Sequence, residues 1–180
     1  MTLITLTAAQ IAQVTRAKIA NVEANWPHIL SAMDWAKMNV PLVQVGMAAT
    51  IAAETSQFLP VREILTKNPN TNLYRLQQRY AKTGFFGRGY IQITWEKNYR
   101  AAGEFIGVDL IKEPDLALDP KIAAMIAAWF FKVNNIDKQC LRGEWRMVRK
   151  LVNGPRYFEN VTGLAKFLNH CETLQKLVQP

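Results

Sequence analysis

The sequence predicts a mainly α protein, on three observations. Apolar residues recur at helical spacing in several long segments, helix-start signals stand just ahead of them, and glycines and turn residues concentrate in one central stretch. Thr7-Ala8-Ala9-Gln10 has the form of a capping box, in which a hydroxyl and an amide satisfy free N–H groups, and it predicts a first helix from about Ala8 to Asn25. Pro27 and Pro41 suit first-turn positions, where a missing N–H costs nothing, so each is expected to open a helix. The second of these should end near Met38. The third should run to about Glu54 with Leu42, Val45, Ala49 and Ala52 on one stripe. Between Thr55 and Gly89, Pro60, the cluster Asn68-Pro69-Asn70-Thr71-Asn72 and three glycines predict loops with short helices. Tyr90 to Thr94 reads as one strand of a small hairpin. Helices are expected again over Pro120 to Val133, Glu144 to Val152 and Tyr157 to Leu177.

A chain of 180 residues, 49% hydrophobic, predicts one domain spanning residues 1–180. Met1 to Val14 shows no cation ahead of an apolar run, so no export signal is expected. The longest apolar run, Ile122 to Phe131, is shorter than the ~18 residues of a membrane span and reads as a core helix, which excludes stable membrane insertion. Cys140 and Cys171 are expected to be reduced, Cys171 as a small packed residue. His28 and His170 stand alone and read as surface or capping residues, so no metal site and no cofactor are predicted. The net charge of +8, from 22 Lys and Arg against 14 Asp and Glu, favours a polyanionic partner. The excess is clearest between Lys132 and Lys166. Without a nucleic-acid motif, DNA or RNA is not the expected partner, and a monomer is the default.

Two acids attract attention. Glu54 ends an apolar helix where a polar, glycine-punctuated region begins; an acid at such a boundary is partly desolvated, which favours the neutral form that a general acid needs. Glu63 follows across a short loop, with Arg62 beside it to favour its charged form, as a general base requires. Taken alone, each is more simply a surface residue. The segment Gly84-Phe85-Phe86-Gly87-Arg88-Gly89-Tyr90-Ile91-Gln92-Ile93-Thr94 shifts that balance. If Tyr90 to Thr94 is extended, Tyr90, Gln92 and Thr94 share one face and offer a ring and two neutral hydrogen-bonding groups, a mixture suited to sugars.

This segment, with Asn98-Tyr99 after it, resembles the signature of glycoside hydrolase family 19, the chitinases and related phage endolysins. Ala53-Glu54-Thr55, Gly107-Val108-Asp109-Leu110, Glu113-Pro114-Asp115-Leu116-Ala117, Ala128-Trp129-Phe130 and Val152-Asn153-Gly154 resemble its flanking segments in the same order. The resemblance implies a lysozyme-like helical domain with a small β-hairpin beside the cleft. It implies Glu54 as general acid, Glu63 as general base and Thr94 as an aid in positioning water. Gln92, Asn98 and Asn153 would bind sugar, Tyr90 and Trp95 would either stack on it or pack in the core, and Arg88 would brace the loops through a carboxylate. The family inverts, so the two carboxyl groups should stand ~6.5 to 9.5 Å apart with room for a water. Ala53, Ser56, Gln57 and Pro155 depart from the family pattern around its acid and its late loop.

Between the two substrates that this resemblance allows, size and charge favour peptidoglycan over chitin. The expectation is an endolysin-like muramidase without a separate wall-binding module. It would be held in the host cytoplasm until lysis and reach the periplasm and cell wall with the help of a separate holin-type protein. A chitinase and a catalytically inactive glycan binder are the alternatives.

Overall fold

The computed structural model describes residues 5–55, 57–154 and 163–179. Nine helices appear among them: α1 (Ala8–Thr15), α2 (Ile19–Trp35), α3 (Pro41–Thr55), α4 (Asn72–Gln77), α5 (Glu96–Ile106), α6 (Pro120–Val133), α7 (Ile136–Leu141), α8 (Trp145–Asn153) and α9 (Leu164–Val178). Short 3₁₀ turns cover Ala81–Thr83 and Pro114–Leu118, and two strands, β1 (Val61–Arg62) and β2 (Arg88–Gly89), pair antiparallel. The mainly α fold with one small hairpin is as the sequence predicts.

Helix α3 is the centre of the molecule. Val43 to Ala52 is buried along its whole length, and α3 packs on α9, α7, α8 and α1. Small residues set the spacing: a Cβ on Gly46 would lie 2.3 Å from Cys140 Sγ, so α3 and α7 touch where no side chain intervenes. Helix α6, buried along Ala123, Ala124, Ile126, Ala127, Ala128, Trp129 and Phe131, packs against α2 and supports the hairpin through the turn before it. Its start is fixed by Asp119, which accepts from Lys121 N and Ile122 N, with Pro120 in the first turn.

The capping box at Thr7 and Gln10 forms as expected. The single helix expected from Ala8 to Asn25 does not. Arg16 takes φ 64° and closes α1, its N–H bonding Ala12 O, and a new helix starts at Ile19. A left-handed cap on an arginine carries no glycine to announce it. Pro27 does not open a helix; it lies inside α2, whose buried Val22, Trp26, Ile29, Ala32 and Met33 carry the helix past it, and α2 stops at Trp35 rather than near Met38. Helix α5, unforeseen, buries Tyr99, Ala102 and Gly103. Of the helix expected over residues 157–177, the first six residues lie outside the described residues; α9 covers the rest.

Tyr90 to Thr94 is not a strand. Gly89 (φ 80°) and Gln92 (φ 53°) turn the chain sharply, and only an isolated bridge joins Arg88 to Ile93. The alternating face expected of Tyr90, Gln92 and Thr94 therefore does not exist. The hairpin partner of β2 is β1, in the register Val61 opposite Gly89 and Arg62 opposite Arg88. Cys140 and Cys171 are both free and buried.

Candidate active site

Glu54 is delivered by the last turn of α3, and its side chain keeps 18% of its surface exposed. The wall it meets is not apolar. Arg149 of α8, 7% exposed, donates from Nη1 to Glu54 Oε1 at 2.5 Å, and its guanidinium also lies 5.5 Å from the Phe167 ring of α9. Glu54 Oε2 makes no hydrogen bond among the described residues. The sequence offers a signal for Arg149 that the reading above passed over: it shares the inward stripe of α8 with buried Trp145 and Val148, where a charge needs a carboxylate.

Glu63 follows β1, and its carboxyl group is held by three neutral donors. Oε1 accepts from Gln77 Nε2 (2.8 Å) and Tyr80 OH (2.7 Å), and Oε2 accepts from Gly87 N (2.9 Å). Burial, together with the hydrogen bond to Glu63 and its charge, pushes the Tyr80 phenol above its ordinary range. Arg62 does not serve Glu63 as expected; it points to Asp115 and lies over the Phe86 ring. Gly87 is required here, since a Cβ would come within 2.9 Å of Gln92 Oε1 and 3.1 Å of Glu63 Cβ.

Arg88 is the brace that the resemblance implies. It is 3% exposed, donates from Nε to Asp115 Oδ1 (2.7 Å) and from Nη1 to Gly84 O, Phe86 O and Tyr99 OH, and stacks on Phe86 at 4.0 Å. Burial opposes charge on Asp115, but hydrogen bonds from Arg88 and Arg62 outweigh it and hold its carboxyl below the usual carboxylate range.

A groove of about 880 Å³ lies between α5, α6 and α8, lined by Trp95, Asn98, Trp129, Asn134, Met147 and Asn153 among others, with Arg79, Lys97 and Lys150 at its sides. It gathers three of the residues assigned to sugar: Trp95, Asn98 and Asn153. Asn98 donates to Thr94 O (2.7 Å) and Asn153 to Arg149 O (3.2 Å), leaving their side-chain carbonyl oxygens unused among the described residues. Trp95 meets Tyr80 edge-on at 5.0 Å and carries the Arg79 guanidinium 5.5 Å from its ring.

Three assigned residues do not reach this groove. Tyr90 is fully buried and donates to Asn25 Oδ1, so it is a core residue and no sugar can stack on it. Gln92 spends its amide protons on Val61 O (2.9 Å) and Gly89 O (3.1 Å), tying the turn to the hairpin. Thr94 donates to Gln92 O (2.9 Å). The two carboxyl groups stand one residue behind the described lining: Glu63 reaches it through Tyr80 and Trp95, Glu54 through Arg149 and Asn153.

His170 is not a surface or capping residue as expected. It is 4% exposed, its Nδ1 has no hydrogen-bond partner among the described residues, and burial, with Lys166 nearby, lowers its pKa below 6.5. Among the described residues, no group of three or more His, Cys, Asp or Glu is placed to hold a metal ion, and no helix is long and apolar enough to cross a membrane.

Residues 66–148 match the model of glycoside hydrolase family 19, described as chitinase class I. An endochitinase of Arabidopsis thaliana is 51% identical over 51 residues, 28% of this chain and 18% of that protein. A second from the same plant is 37% identical over 95 residues, 50% of this chain and 33% of its own length. Chitinase 5 of Oryza sativa subsp. japonica is 41% identical over 71 residues, 39% and 24% of the two chains. The chain thus spans a third or less of these curated relatives. Its fold is that of chitinase C from Streptomyces griseus, with TM-score 0.66, 18% identity and coverage of 99% of this chain and 77% of that one. It also matches a bacterial family 19 chitinase, with TM-score 0.67, 19% identity and coverage of 98% and 95%. Glu54, Glu63, Arg149 and Asn153 fall outside the matched range. Residues 66–148 thus resemble the glycoside hydrolase family 19 (chitinase class I) model, and the chain as described has the lysozyme-like helical fold of solved family 19 chitinases.

Proposed function

We infer that this protein is an inverting glycoside hydrolase that cuts β-1,4-linked N-acetylated glycans, and that its substrate is peptidoglycan. The observation that carries the chemistry is the pairing of two differently held carboxyl groups behind one groove. Glu54 has one oxygen held by Arg149 and no hydrogen bond to the other among the described residues, so that oxygen is open to a departing sugar oxygen. Glu63, with both oxygens occupied by neutral donors, is held as an acceptor, which suits a base that takes a proton from water. Trp95, Asn98 and Asn153, which line the groove, would bind the sugars.

Peptidoglycan is favoured over chitin by the net charge of +8 and by the cations beside the groove, which suit an acidic polymer. In this reading the protein is a monomeric endolysin-like muramidase with residues 1–180 as its catalytic domain. It waits in the host cytoplasm for a holin-type partner to open the way to the wall. Chitin is the second reading, favoured by the names of the relatives.

Digestion of purified peptidoglycan with mass analysis of the products decides between these readings. Fragments ending in reducing N-acetylmuramic acid are expected. Cleavage of chitin oligosaccharides alone would replace the first reading with the second, and release of free stem peptides would remove both.

A further inference from the structure

The charges at the groove are all of one sign. Arg79, Lys97 and Lys150 line it, and no Asp or Glu is among its described lining residues. The acid nearest in sequence to Lys97, Glu96, is committed to Arg100 at 2.6 Å. Glu63, which meets Arg79's neighbour Tyr80, is occupied by neutral donors. Arg79 is exposed, and its guanidinium is placed over Trp95 rather than over a carboxylate. Lys97 is exposed on the first turn of α5, beside Asn98. Arg79 and Lys97, two like charges at the edge of one groove, repel one another and cost stability in the empty protein. A neutral polymer of N-acetylglucosamine offers only hydroxyl and acetamido groups, which satisfy neither cation. A glycan strand that carries carboxylates on its substituents satisfies both.

We propose that Arg79 and Lys97 bind carboxylates on the glycan's side groups, the stem-peptide carboxylates of peptidoglycan, and thereby set the preference of the groove for an acidic over a neutral strand. This rests on the reading of the groove as a glycan cleft and adds the residues that discriminate. Both pairs would form at an exposed rim, where a single ion pair changes binding by less than about five-fold, so the two together amount to about ten-fold. The preference fades as salt is raised, because the Debye length falls to about 3 Å at 1 M.

The test uses one polymer in two charge states: purified peptidoglycan, and the same material with its carboxylates amidated. Binding of the full chain to each is measured by co-sedimentation, and turnover on each is measured in parallel. The intact protein should bind the carboxylate form about ten-fold more tightly than the amidated form at low salt. In the double variant Arg79→Gln, Lys97→Gln the ratio should fall to about one, and Arg79→Lys, Lys97→Arg should restore it. Equal binding of the two polymers by the intact protein, or an unchanged ratio in the double variant, overturns the proposal. If neither polymer is cleaved while the binding ratio still depends on Arg79 and Lys97, the hydrolase reading fails and the carboxylate-binding groove stands.

Discussion

Arg149 Nη1 and Glu54 Oε1 meet at 2.5 Å across 95 residues of chain, joining the last turn of α3 to the middle of α8. The arginine is the more deeply buried partner, so the two ends of this pair respond differently to substitution.

Glu54→Gln keeps an oxygen for Arg149 and removes the proton donor. Stability should fall by about 1 to 3 kcal/mol, because the amide leaves the guanidinium a hydrogen bond but no countercharge, while turnover should fall by ~10² to 10⁴. Glu54→Leu leaves the buried guanidinium without a partner and should lose roughly 3 kcal/mol or more. Urea denaturation and a glycan-cleavage assay on the two variants separate these effects; a fully active Glu54→Gln protein removes the acid assignment.

At Glu63 even the isosteric amide is disruptive. Three donors converge on its oxygens, and a Gln side chain turns an NH₂ toward at least one of them. Glu63→Gln should lose about 1 to 3 kcal/mol from the unmatched donor and most of the activity. Tyr80→Phe, which removes one of the three donors, should be milder in both measurements. Near-normal turnover in Glu63→Gln would place the base elsewhere.

His170 makes stability depend on pH. Burial and Lys166 lower its folded-state pKa below the unfolded value near 6.5, so the unfolded chain takes up a proton that the folded protein refuses. Its contribution is fully present above the unfolded pKa and is lost as pH falls through 6.5 toward the folded value. Denaturation midpoints at about pH 7.5 and about pH 5.5 should differ more in the intact protein than in His170→Gln. Identical differences would show that the folded site accepts the proton.

Gly46→Ala and Gly103→Ala reverse the usual sign for a helix. In an open helix the change stabilises by about 0.5 to 1 kcal/mol. Here the new methyl would lie 2.3 Å from Cys140 Sγ or 2.5 Å from Val108 O. Both variants should lose about 1 to 3 kcal/mol by overpacking, as a lowered melting temperature would report.

The elements legible in the sequence are those whose own pattern decides them. Helices α3 and α6 carry a starting proline and a long apolar stretch, and both form close to where these predict. The signals failed where distant contacts decide. The break at Arg16, the passage of α2 through Pro27 and the left-handed backbone of Gln92 and Trp95 carry no glycine or cap signal in the sequence. The site divides the same way. Trp95, Asn98 and Asn153 reach the groove that the resemblance implies for them, and Arg88 finds its carboxylate. Tyr90 takes the core, one of the two places open to it, because the chain turns inward after Gly89 instead of continuing as a strand. Gln77 and Tyr80 escaped notice because loop folding alone brings them to Glu63.

The two-residue strands set Arg62 directly opposite Arg88, and one carboxylate, Asp115, sits against both. Two cations facing each other across a ladder this short would push it apart. The hairpin is therefore not a local structure that nucleates the region around it. Its closure depends on the carboxylate of residues 114–118 rather than on its own two-residue ladder, and the placement of Gly87, Glu63's backbone donor, depends on that carboxylate in turn.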